Sequence, residues 1–150
     1  MNLVANIIRI KGGGVLAVSP RATVYEALEM MAAKNVGAVI VTDGERLVGI
    51  FSERDYARKV VLQGKSSRKT PVAEVMTGKV YFVKPESTAE DCMQLMTDHH
   101  IRHLPVMEND KLVGVISIGD VVKSLLTDRE FRIQQLENYI TGPAYPGPQA

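Results

Sequence analysis

The chain has 150 residues, 45% hydrophobic and 23% charged, with a net charge of +1. That is the balance of a globular domain long enough to bury a core, and it carries no whole-chain field that would draw nucleic acid or an anionic membrane. The single cysteine, Cys92, excludes an intramolecular disulfide, and no apolar run approaches the roughly 18–20 residues of a membrane span.

Leu3, Ile7 and Ile10, with Val4 and Ile8 alongside, predict a short amphipathic helix over 2–10. This start lacks the charged region and cleavage site of a signal peptide, so a cytoplasmic protein is expected. Lys11-Gly12-Gly13-Gly14 breaks regular structure, and Val15–Val18 reads as a short buried strand. Thr23 reads as an N-cap, with Glu26 three residues on. Val24, Ala27, Leu28, Met31 and Ala32 then form one apolar helical face. Ala38–Val41 and Leu47–Phe51 read as strands joined by a turn at Asp43–Arg46. Ser52 opens a helix to about Gln63, and a polar linker runs from Gly64 to Lys69.

The series then recurs. Thr70-Pro71 starts a helical turn, with proline at its favoured first position. Val80–Val83 predicts a strand, and Ala89, Cys92, Met93 and Met96 a helix face behind Thr88. Strands at 103–107 and 112–116 flank a turn, and Ser117 opens a helix to about Leu126. Val18 matches Val83, Thr23 matches Thr88 and Gly49 matches Gly114, all at a shift of 65. Matches spread over strands, turns and helices indicate a duplication. Each half alone is near the size where a core is marginal, so the two sheets are expected to pack together about a pseudo-twofold axis, leaving equivalent clefts. Outside the repeat, Ile133, Leu136 and Ile140 predict a terminal amphipathic helix that either aids a dimer or closes the monomer's own core.

Two corners carry the candidate chemistry: Gly49-Ile50-Phe51-Ser52-Glu53-Arg54-Asp55 and Gly114-Val115-Ile116-Ser117-Ile118-Gly119-Asp120. Ser-x-x-Asp is close to a capping box, and each serine cap contributes ~1 kcal/mol. The same geometry suits a ligand. Free N–H groups at a helix start favour phosphate, a serine hydroxyl adds a donor, and a carboxylate one turn on accepts from the two hydroxyls of a ribose. A glycine inside each strand costs stability unless something approaches the backbone closely.

The two G-h-h-S-x-x-D corners, the paired Pro-x-x-Thr helix starts and Ile101-Arg102-His103-Leu104-Pro105-Val106 resemble a tandem CBS-domain pair, the Bateman module, over about residues 8–127. The resemblance implies an α/β (α+β) fold of two β-α-β-β-α repeats at 8–64 and 70–127; beyond it, the residues themselves predict a C-terminal helix at 128–141 and a flexible tail at 142–150. It implies a regulatory module, not an enzyme, that binds AMP, ADP, ATP, or NAD or S-adenosylmethionine, forms a homodimer and acts on a partner enzyme, transporter or channel. Asp55 and Asp120 would hold ribose and Ser52 and Ser117 phosphate, with Lys11, Gly13, Val15, Thr77 and Tyr81 beside the adenine. Gly37, Ala38, Pro105 and Gly119 complete the expected lining. The glycines after Lys11 depart from Met76-Thr77-Gly78-Lys79 in the second half and leave room for a larger ligand, such as NAD, in one cleft.

Arg102 and His103 are candidate phosphate clamps, since arginine forks onto phosphate oxygens, and Arg54, Arg58 and Lys59 follow the first corner. His99 and His103 do not make a metal site, because Pro105 and the strand pattern take His103 off the helix. Cys92 reads as a buried thiol, and the triple glycine lacks the Lys-Ser/Thr of a P-loop. The competing functional reading is a dimerisation scaffold whose corners are only caps. A phosphate-transferring enzyme is a third reading, and it lacks a paired acid and base near the corners.

Overall fold

The computed structural model describes residues 2–12 and 14–141, so Gly13 and the expected tail at 142–150 lie outside it. The first half contains α1 (Val4–Lys11), β1 (Ala17–Val18), α2 (Val24–Lys34), β2 (Ala38–Asp43), β3 (Arg46–Ser52) and α3 (Glu53–Asp55). A π-helical turn, Tyr56–Val61, extends α3. The second half contains α4 (Val72–Val75), α5 (Ala89–His99), β4 (His103–Glu108), β5 (Lys111–Ser117) and α6 (Ile118–Thr141).

The sheets repeat one plan. β1 runs parallel to β2, and β2 pairs antiparallel with β3, with Ala38 opposite Ser52. β4 pairs antiparallel with β5, with His103 opposite Ser117, and the register of each hairpin slips at the same place, after Val41 and after Val106. Gly44 takes φ 66° in the first hairpin turn, and Asn109 and Asp110 take φ 51° and 63° in the second, as tight hairpin turns demand. The α+β duplication expected from the sequence is therefore present.

Three expectations are corrected. The strand at 80–83 contracts to one parallel bridge, Val83 to Val106. Val83 is buried in the core there and Tyr81 packs against it partly buried, while Phe82 stays 49% exposed. Pro71 is the extended N-cap of α4 and not its first helical residue. The helix after Ser117 does not stop near Leu126 but runs unbroken to Thr141, and Ile133 and Leu136 remain exposed on it. Residues 118–141 contain no glycine or proline after Gly119, so nothing in the chain ends the helix earlier.

Each short leading helix packs on the other half of the molecule. Val4 and Ile7 of α1 join Val83, Cys92, Met96, Leu104 and Ile116 in one core. Val72 and Val75 of α4 join Val24, Met31, Val41, Phe51 and Val60 in the other. The Val4 amide donates to Ser87 O at 2.8 Å, and the Val72 amide donates to Ala22 O at 2.8 Å. Ile10, expected on the apolar face of α1, is 81% exposed. The second half accepts only the turn around Val4 and Ile7, and the helix then overruns it.

Candidate functional site

Both serine–aspartate corners fold as reciprocal caps. Ser52 Oγ accepts from the Asp55 amide at 3.2 Å, and Asp55 Oδ2 accepts from the Ser52 amide at 3.0 Å. Ser117 Oγ accepts from the Asp120 amide at 3.2 Å, and Asp120 Oδ2 accepts from the Ser117 amide at 2.9 Å. The capping role is thus common to both, and the difference lies in what stands in front of each aspartate.

At the first corner the protein fills its own site. Asp55 is buried, and its Oδ1 accepts from Thr77 Oγ1 at 3.0 Å and pairs with Lys59 Nζ at 3.0 Å. The π-helical turn carries Lys59. Ile50 and Thr77 exchange two backbone hydrogen bonds, of 3.0 and 2.8 Å. Arg54 reaches across to donate to the His100 carbonyl at 2.9 Å.

The second corner opens onto a cleft of about 360 Å³ between the halves. Val15, Gly37 and Ala38 line it from the first half, and His103, Ser117 and Asp120 from the second. Its openness has a cause in chain length. Val4 and Val72 are equivalent in space but 68 positions apart, whereas the strands repeat at 65. The first half therefore holds three extra residues between the start of its leading helix and its first strand. The helix uses this slack and runs on to eight residues in α1, against four in α4. Among the described residues, nothing gives Val115 the backbone pairing that Thr77 gives Ile50. Lys11, the last residue of α1, supplies a side chain instead: its Nζ donates to Val115 O at 3.0 Å and to Asp120 Oδ2 at 2.8 Å. Two positions of the gap-free repeat also lose bulk on this side, with Gly119 where the first corner has Arg54 and Gly37 where the second half has Arg102.

The electrostatics follow this arrangement. Burial alone would raise the Asp120 carboxyl, but the hydrogen bond from Lys11, the Ser117 amide and the Lys11 charge together hold it below its ordinary value. Burial pushes the His103 imidazole down, and the Lys11 and Arg102 charges add to this against the opposing Asp120. His103 is therefore held neutral beside the cleft at neutral pH. Burial pushes the Cys92 thiol up to about 11, so a reactive thiolate is disfavoured there.

A family model for the CBS domain matches residues 12–62 and 72–127. The chain belongs to the CBS-domain family. This CBS pair is 41% identical over 148 residues to the mitochondrial CBS domain-containing protein CBSX3 of Arabidopsis thaliana, covering 93% of this chain and 72% of that one. A solved CBS-domain protein from Burkholderia ambifaria matches at 48% identity and TM-score 0.79, over 84% of this chain and 93% of that one. A CBS domain protein from Pyrobaculum aerophilum, solved complexed with AMP, matches at 25% identity and TM-score 0.72, over 83% of this chain and 98% of that one.

Within the CBS pair, the residues singled out in the sequence divide into groups. Lys11, Val15, Gly37, Ala38, His103, Ser117 and Asp120 come together at the cleft, with Gly119 exposed beside it. Ser52, Asp55 and Thr77 converge on the closed corner, while Arg54 turns away to the His100 carbonyl. Pro105 is buried within β4, opposite Val115, and does not line the cleft. Arg58 and Arg102 are exposed and do not line it either. Tyr81 stacks on His99, with ring centroids 3.8 Å apart, instead of facing the cleft. Gly13 lies outside the described residues.

The strand glycines have a different explanation from a ligand. A Cβ on Gly49 would sit 2.5 Å from Met76 Sδ and 3.0 Å from Thr77 O, and a Cβ on Gly114 would sit 2.7 Å from Ile8 Cδ1. What approaches each strand is the protein's own leading segment. Asn35 and Val36 at the end of α2, with Val113 and Val115 of β5, also line the cleft. Their only sequence signal was the break after α2 and an apolar strand.

Proposed function

We propose that the protein is a regulatory module, without catalysis of its own, that binds an adenosine nucleotide in the cleft at Asp120. AMP is the first candidate, with ADP, ATP and NAD behind it. One observation carries this reading: a carboxylate and a serine at the start of a long helix front an open cleft of small-ligand size, about 360 Å³. The AMP complex of the Pyrobaculum aerophilum relative supports the ligand class. Asp120 would accept from the ribose hydroxyls. Ser117 and the N-terminal amides of α6 would face the phosphate, while Val15 and Ala38 would flank the base. Gly12 and Gly14 have open space where a side chain would begin, which suits a ligand longer than AMP, such as NAD, at this cleft.

Ligand held between the halves would favour one arrangement of them. At 100 times its dissociation constant it adds about 2.7 kcal/mol to that arrangement, enough to bias the surface that a partner enzyme or transporter reads. In this reading the exposed Ile133 and Leu136 of α6 contribute to a homodimer, and the protein acts in the cytoplasm.

The test is calorimetry with AMP, ADP, ATP, NAD and S-adenosylmethionine on protein stripped of small molecules. AMP binding that weakens at least tenfold in Asp120→Ala, with the fold kept, is the expected result. The second reading, a dimerisation scaffold, is favoured by the complete caps at both corners. It predicts no heat and no melting shift with any of the five compounds.

A further inference from the structure

Lys11 and Asp120 are the charged side chains lining the cleft, and they are paired with each other. His103, the other titratable lining residue, is disfavoured as a cation. The pair differs from the one at the first corner. There Lys59 sits on the same helical segment as Asp55, and Thr77 shares the carboxylate. Lys11 comes from a different element, the overrun turn of α1, and the chain after it is glycine. Its Nζ holds Asp120 Oδ2, which also takes the Ser117 amide, while Asp120 Oδ1 makes no hydrogen bond among the described residues. Both groups are partly open to solvent, with 40% of the Lys11 side chain and 25% of the Asp120 side chain exposed. The contact is therefore reachable by a solute.

We propose that Lys11 is a counter-ion latch that makes the cleft select phosphorylated over unphosphorylated nucleosides. This rests on the nucleotide reading above and specifies the chemical class that the site takes. A ribose diol binding Asp120 must compete with the Lys11 ammonium. An uncharged nucleoside displaces that cation and returns nothing to it except water. A nucleotide brings its own anion, so the ammonium released from the carboxylate pairs with a phosphate oxygen while the diol takes its place on Asp120. Val115 O, the second acceptor for Nζ, keeps the ammonium near the cleft throughout. The exchange conserves the number of ion pairs for a nucleotide and loses one for a nucleoside.

The test compares AMP with adenosine by calorimetry on wild type, Lys11→Met and Lys11→Arg. Lys11→Met is expected to weaken AMP about tenfold, as loss of a charge-assisted hydrogen bond does, and to strengthen adenosine about threefold by removing a partly exposed competitor. Lys11→Arg is expected to restore the preference for AMP. An AMP-to-adenosine ratio unchanged within twofold in Lys11→Met, in protein that melts like wild type, overturns the latch while leaving the nucleotide reading intact. Wild-type protein with no affinity for either compound overturns the nucleotide reading, and the latch with it. Rising salt should erode the AMP preference of wild type and leave Lys11→Met nearly unaffected, a second readout that a merely structural lysine would not produce.

Discussion

The two corners of this molecule share a serine, an aspartate, a preceding strand glycine and the same pair of capping hydrogen bonds. They differ in what the chain does just before each repeat. Ahead of the second repeat, α4 ends early enough for Thr77 to pair with Ile50 and hydrogen-bond to Asp55. Ahead of the first, three extra residues continue α1 past the strand, and the tip of Lys11 comes back to Val115 and Asp120. A duplicated motif thus yields one corner whose aspartate is enclosed by the chain and one whose aspartate fronts a cleft, and the deciding residues lie outside the motif.

The largest effect that separates the corners should come from their glycines. Gly49→Ala is expected to cost about 2–3 kcal/mol, because the new methyl meets a backbone carbonyl as well as Met76. Gly114→Ala should cost about 1 kcal/mol, since the three atoms nearest the new methyl all belong to the flexible side chain of Ile8. Urea denaturation of the two variants checks this, and equal costs would remove the distinction between the approaching segments.

The aspartates come next. Asp55→Ala should destabilise by about 2 kcal/mol, because it removes a cap and leaves Thr77 and Lys59 without their shared acceptor. Asp120→Ala should cost about 1 kcal/mol, the value of a cap alone. A reversed order in denaturant midpoints would contradict the division into a structural and an open corner.

Deleting Ile10–Gly12 would give the first half the same spacing as the second. The shortened segment is expected to settle against β5 as Thr77 does against β3 and to close the cleft. Calorimetry should then register at least a tenfold loss of AMP affinity beyond that of Lys11→Met, about 1.4 kcal/mol, in protein that still melts cooperatively. AMP binding no weaker than in Lys11→Met after the deletion would mean that chain length is not what holds the cleft open.

The smallest effect is the pH dependence of the second side. His103 is held below its ordinary value of 6.5 by burial first, then by Lys11 and Arg102, with Asp120 opposing; Glu53 lies across from it at Gly37. The unfolded chain therefore binds this proton more readily than the folded one. The His103 contribution is complete above pH 6.5 and is lost as pH falls from there through the lower folded value. Denaturant midpoints should fall between pH 7 and pH 5, and by less in His103→Gln. The equivalent first-half residue, Ala38, does not titrate. A His103→Gln profile that matches wild type would place the effect elsewhere.

Much of this was legible in the chain. The shift of 65 exposed the duplication, and Thr23, Thr88, Ser52 and Ser117 marked helix starts that the structure caps as read. These are local signals, in which a side chain bonds an amide three residues away and spacing alone is sufficient. The strand glycines show the limit of such signals. Gly49 and Gly114 did report a close approach, but no local pattern says whether ligand or protein makes it. Tyr81 was expected beside the adenine and instead stacks on His99, eighteen positions away. Ile10 matched the helical period of α1 and yet faces water, because period predicts a face and not how far the surface beneath it extends.

By itself the sequence determined the repeat, the hairpins, the caps and the residue types at each corner, since these depend on contacts within a few positions and on a periodicity that any copy of the motif must keep. Only the tertiary structure decided that each leading helix packs on the opposite half, that Asp55 is enclosed while Asp120 faces a cleft, and that Lys11 holds the latter. Those outcomes depend on where two distant segments meet, and three residues of added length are enough to move such a meeting point by one helical turn.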